Sequence, residues 1–164
     1  MDPFFEFEKD FYLLNSRLLR ISNSFCAATS KFNSPSRFYE LRSDVIELFE
    51  CRDSIRKTKT RIRDNAGMLV DEDKIFNALT AMELRIRNSQ FQYTIATRNM
   101  RCPDDHDNVR IEFMQDASTE LFGVMDQVRI IEDCLFKQET ADFEKERRPL
   151  SEARLSDFPL PSQQ

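Results

Sequence analysis

The sequence predicts an all-α protein, an antiparallel three-helix up-down bundle followed by a fourth long helix and a disordered C-terminal tail. Three observations carry this. In 164 residues there are two glycines and no tryptophan, while 32% of residues are charged, a composition of long helices rather than of β-sandwiches. Apolar residues recur at alternating steps of three and four through most of the chain. The breaks in that rhythm coincide with proline, serine and asparagine. One domain suits the length, and a hydrophobic content of 40% is enough for a modest core.

The first helix begins almost at once. Asp2 supplies an acceptor at the N-cap, and Pro3 stands at the first helical position, where its missing N–H costs nothing. Phe4, Phe7, Phe11, Leu14, Leu18, Ile21, Phe25, Ala28 and Phe32 then form an unbroken bundle seam. Asn33-Ser34-Pro35-Ser36 ends the helix and restarts the next, with Ser34 as cap and Pro35 at the first position.

The second helix is expected from about Arg37 to Asn65. Phe38, Leu41, Val45, Leu48, Ile55 and Ile62 form its inner stripe, which Arg52 and Lys59 interrupt. Arg52, Arg56, Lys57, Lys59, Arg61 and Arg63 crowd its last turns, where cations suit the negative end of the helix dipole. Such a basic patch is a solvated face, or a site for an acidic partner surface or anionic lipid headgroups. Gly67 fits a left-handed terminator, and Asp71 or Asp73 caps the next helix.

The third helix, Ile75 to Met100, has apolar residues on two opposite sides. Leu79, Met82, Ile86, Ser89, Tyr93, Ala96 and Met100 make one stripe. At about 100° per residue, Leu84, Phe91 and Ile95 fall roughly opposite, bordered by Arg87 and Arg98. Either a fourth helix of the same chain covers this second face, or another protein does; these five residues are the candidate partner-binding set.

The opening Asp2-Pro3-Phe4-Phe5, Glu40-Leu41-Arg42, Phe76-Asn77 and Glu83-Leu84-x-x-Arg87 together resemble the N-terminal domain of syntaxin-6-type SNARE proteins, over roughly the first hundred residues. Each motif is common alone; the ordered set of four carries the resemblance. The family usually has an aromatic three residues after the arginine of the last motif, where this chain has Gln90 with Phe91 one step later. The resemblance implies a three-helix regulatory module over residues 1–102. It also implies SNARE or vesicle-tethering proteins as partners, and a cytoplasmic place at Golgi and endosome membranes in vesicle-mediated transport.

Beyond it, Cys102-Pro103-Asp104-Asp105 stops the third helix, and an additional amphipathic helix is expected from about Asn108 to Arg147, within a segment 103–147. Met114, Ala117, Leu121, Val124, Val128, Ile131 and Leu135 form its seam, and Gln138 takes the next position. A SNARE helix would carry apolar layers on both sides of such a glutamine, but Asp142 and Lys145 follow, so the segment is a degenerate SNARE helix or unrelated to one. Pro149 is expected to close it, and residues 148–164 read as a disordered tail.

No catalytic constellation, cofactor loop or metal set emerges, so an enzyme is not expected. His106 is the sole histidine, and with Cys102 it makes at most two of the four ligands of a structural zinc. Two glycines cannot build a phosphate-binding loop. The scattered cysteines read as reduced thiols. A net charge of −5 gives no field for nucleic acid. No apolar run approaches the ~20 residues of a membrane span, which leaves only peripheral association with a membrane surface. Two functions stand: a monomeric SNARE-type regulatory, protein-binding domain, or a soluble helical adaptor or oligomerising scaffold unrelated to SNAREs.

Overall fold

A computed structural model describes residues 2–30, 35–98 and 107–157, with side chains described as far as Glu146. The described chain is all-α: α1 (Pro3–Ala28), a 3-10 segment (Pro35–Leu41), α2 (Arg42–Asp64), α3 (Glu72–Thr97) and α4 (Asp107–Asp157). Phe32, Ser34, Met100, Cys102, Pro103 and His106 lie outside the described residues.

The start of α1 follows the expected chemistry. The Asp2 carboxylate accepts a 3.0 Å bond from the Phe4 N–H, with Pro3 in the first turn. At the other end of α2, Gly67 takes φ 88°, the left-handed conformation that lets the chain turn towards α3.

Three boundaries depart from expectation. α1 ends at Ala28 with Thr29 as its C-cap, short of the expected end at Asn33. Residues Pro35–Leu41 wind as a 3-10 helix, so α2 begins at Arg42 rather than near Arg37, and no side chain caps it at Leu41. The tighter winding turns Phe38 and Leu41 into the core, and Tyr93 of α3 donates a 2.7 Å hydrogen bond to the Phe38 carbonyl. Pro149 does not close α4. The backbone stays helical to Asp157, so residues 148–157 of the expected tail are helix; residues 158–164 lie outside the described residues. A mid-helix proline removes one donor and crowds a carbonyl, a local penalty of about 3 kcal/mol. Leu150, Glu152, Ala153, Arg154 and Leu155 beyond it favour helix.

Neighbouring helices run antiparallel. Arg17 meets Glu47 while Arg61 meets Asp10, Arg52 meets Gln90 while Arg63 meets Phe76, and Arg85 meets Glu120 while the turn before α3 meets Gln138. Asn15 of α1 donates to Glu132 of α4, which closes the ring of four.

The predicted inner stripes of all four helices are buried wherever they are described, apart from the half-buried Phe4. Met114, Ala117, Leu121, Val124, Val128, Ile131 and Leu135 belong to one core with Phe11, Leu48 and Leu79. The fourth helix is thus a full side of the bundle, and its longest contact is with α3. Small groups allow that closeness: Ser89 donates a 2.9 Å bond to the Ala117 carbonyl, and Gly123 leaves room for Arg85, whose guanidinium a Cβ there would strike.

Candidate protein-interaction face

With α3's inner stripe turned to α1, α2 and α4, its opposite side is fixed by the helical period. Leu84 is 55% and Phe91 63% exposed. Arg87 and Arg98 are exposed beside them, and Ile95 is half-buried at the edge. The structure therefore brings Leu84, Arg87, Phe91 and Ile95 onto one outward side of α3, with Ile95 the least available, and Arg98 follows as the C-cap in extended backbone. The reading in which the fourth helix covers this face is corrected: α4 docks on the Arg85–Ser89 side, and the close approach permitted by Ser89 and Gly123 holds it there. It cannot act as a lid over Leu84 and Phe91.

The structure also shows what Gln90 does. Gln90 is buried and faces α2, donating to the Val45 carbonyl at 3.3 Å while its oxygen accepts from Arg52 at 2.9 Å. A buried amide is stable only when both ends are paired, as here. Phe91, one step on, is thereby turned outward.

The predicted basic patch does not form one free surface. Arg52 is held by Gln90 and leans over Phe49, 5.7 Å from the ring centroid. Arg56 and Lys59 share Glu83 at 2.9 and 3.7 Å. Arg61 pairs with Asp10 across to α1. Arg63 stacks on Phe76, 3.9 Å from the ring centroid, and Lys59 lies 4.9 Å from the same ring. Lys57 is exposed. Most of these cations fasten α2 to its neighbours, which sequence spacing alone could not distinguish from a solvated face.

A groove of about 330 Å³ opens where Arg56, Lys59, Thr60, Arg63 and Phe76 meet. Sequence reading placed Phe76 only within a motif. The signal available was the spacing of Arg56, Lys59 and Arg63, which puts them on one side of α2.

Titratable groups elsewhere are shifted by burial and by ion pairing. Burial pushes the Cys51 thiol up to about 11 and raises that of Cys134, keeping both protonated. Bonds from Arg20 and Arg17 hold the Glu47 carboxyl below its usual range. Between α1 and α4, burial and a shared hydrogen bond with Glu139 push Glu8 up to about 7. Among the described residues no cluster of His, Cys, Asp or Glu is arranged to hold a metal ion, and no helix is long and apolar enough to cross a membrane. Compared with protein-family models, curated proteins and solved structures, the chain finds no match.

Proposed function

We propose that this chain is a non-catalytic protein-binding module, a regulatory domain of the syntaxin-6-like SNARE type acting in vesicle-mediated transport at Golgi and endosome membranes. The observation that carries the binding reading is the outward side of α3, where Leu84 and Phe91 lie uncovered, with Arg87 and Arg98 exposed along the same edge. Apolar and aromatic anchors with arginine at the edge are the composition of a docking surface for a partner helix or extended segment. The SNARE assignment rests on the ordered set of four motifs. Within the last, Glu83 braces α2 while Leu84 and Arg87 are left at the surface, a division of labour that suits a recognition helix.

The test is affinity capture with the full chain as bait, because α4 shares the core with the other helices. The proposal expects SNARE or vesicle-tethering proteins to be retained; retention of neither class counts against it. A second reading, an oligomerising scaffold, is favoured by Phe136 and Phe143, 70% and 61% exposed on α4. Light scattering separates the two: the regulatory reading expects a monomer, the scaffold a mass that rises with concentration.

A further inference from the structure

The second half of α2 concentrates positive charge in an acidic chain. Between Cys51 and Asn65 six cations face two carboxylates, while the whole chain carries −5. Most of those cations are committed to Gln90, Glu83 or Asp10. Arg63 is different. Its guanidinium carbon lies 3.9 Å from the centroid of the Phe76 ring, and among the described residues its N–H donors meet no carboxylate or carbonyl. Stacking also fixes the group in place, so an incoming carboxylate meets a pre-oriented fork rather than a mobile chain.

Thr60 lies one turn before Arg63 and lines the same groove. The other described threonines turn their hydroxyls onto backbone carbonyls: Thr29, Thr58, Thr80, Thr94, Thr97, Thr119 and Thr140. Thr60 makes no such bond, which leaves its hydroxyl to a ligand or to solvent. The floor between these groups is the Phe76 ring and the aliphatic stems of Arg56, Lys59 and Arg63.

We propose that the groove of Arg56, Lys59, Thr60, Arg63 and Phe76 binds an acidic peptide segment of a partner protein. A carboxylate of that segment bonds to Arg63 and Thr60, and an adjacent apolar side chain lies along Phe76 and the cation stems. The inference rests on the protein-binding reading but uses a different surface from Leu84 and Phe91. Charge complementarity selects the occupant: an anion is drawn to the half-helix that is cationic, and only a peptide offers the apolar contact beside it. A membrane surface fits less well. Lys59 and Arg63 hold Phe76 from insertion, and Asp53, Asp64 and Glu83 lie among the cations. A free oxyanion would leave the apolar floor unused.

The experiment is a titration of the isotope-labelled full chain, followed by NMR, with a synthetic peptide of repeating Asp-Phe-Glu-Ser. The shifts are expected at Thr60, the Arg63 side-chain N–H and the Phe76 ring, and should weaken as salt rises. Arg63→Gln, which keeps the stem, should weaken binding by about tenfold, the loss of one charge-assisted contact. Lys57→Gln removes the same charge from the same helix away from the groove and should change binding far less. An equal loss in both variants would make the attraction diffuse charge and overturn the site. So would equal binding of the Asn-Phe-Gln-Ser peptide, saturation of the same signals by inorganic phosphate alone, or Arg63-dependent sedimentation with phosphatidylserine vesicles. Phe91→Asp should leave peptide binding intact; its loss there would move the site to the outer side of α3. Peptide binding that survives a failed capture supports this site while counting against the SNARE reading alone.

Discussion

Gln138 of α4 and Val70 of the α2–α3 turn are joined as a pair of strands would be. The Val70 N–H donates to the Gln138 side-chain oxygen at 3.1 Å, and the Gln138 amide donates to the Met68 carbonyl, also at 3.1 Å. A position that continues an apolar seam in the sequence thus holds a polar group, because the backbone opposite it is a turn with one donor and one acceptor to satisfy.

Replacing Gln138 by Ala should therefore strand two backbone groups and cost about 1–3 kcal/mol. Chemical denaturation gives the magnitude, and hydrogen exchange at the Val70 N–H should quicken more than at the amides of the helices. Unchanged exchange would mean that the turn is held by other contacts.

The core and surface of the helices can be separated by substitution. Leu18→Ala or Ile86→Ala removes a fully buried side chain and should cost about 2–5 kcal/mol. Lys57→Ala on the exposed side should stay within about 0.5 kcal/mol. Equal costs would contradict the assignment of faces.

The contact between α1 and α4 should respond to pH. Glu8, beside Glu139, Asp2 and Tyr12, is raised from 4.5 to about 7 in the folded chain, first by burial and then by its bond to Glu139. The folded state then holds a proton that the unfolded chain releases, so this group's contribution is full below about 4.5 and is lost as pH rises through about 7. Melting temperature should fall across that window, and Glu8→Gln should flatten the fall. A parent chain with no slope there would rule out the proton shared by Glu8 and Glu139.

Removing residues 103–164 should cost the bundle its cooperativity, since Met114 to Leu135 close the same core that α1, α2 and α3 line. Calorimetry of residues 1–102 is expected to show a broad or absent transition. A sharp transition would restore an independent three-helix unit.

How far the sequence reveals this arrangement depends on what each residue faces. The seams of α1 and α4 were legible because bundle interiors demand apolar groups at steps of three and four, and Asp2-Pro3 marks a helix start by local chemistry alone. The roles of Gln90 and Gln138 were not, since each answers a backbone or side-chain group distant in sequence. The basic stretch of α2 misled for the same reason: Asp10 and Glu83, which absorb Arg61, Arg56 and Lys59, lie on other helices. Local signals also could not say whether Pro35 opens an α-helix or a 3-10 segment, because both accept proline at the start; the burial of Phe38 and Leu41 accompanies the tighter form. The outward side of α3 was visible as a period, but only packing could show that α4 leaves it open.

The central claim is that Leu84 and Phe91 serve a partner rather than the fold. Its most direct test is Phe91→Asp in the full chain, measured for thermal unfolding and for partner capture on matched supports. An aspartate at a position 63% exposed should leave the melting transition within a few degrees of the parent. Captured SNARE or tethering proteins should be lost. If the variant unfolds, the position is part of the core and the claim is wrong; if it folds and still captures the same partners, the binding surface lies elsewhere.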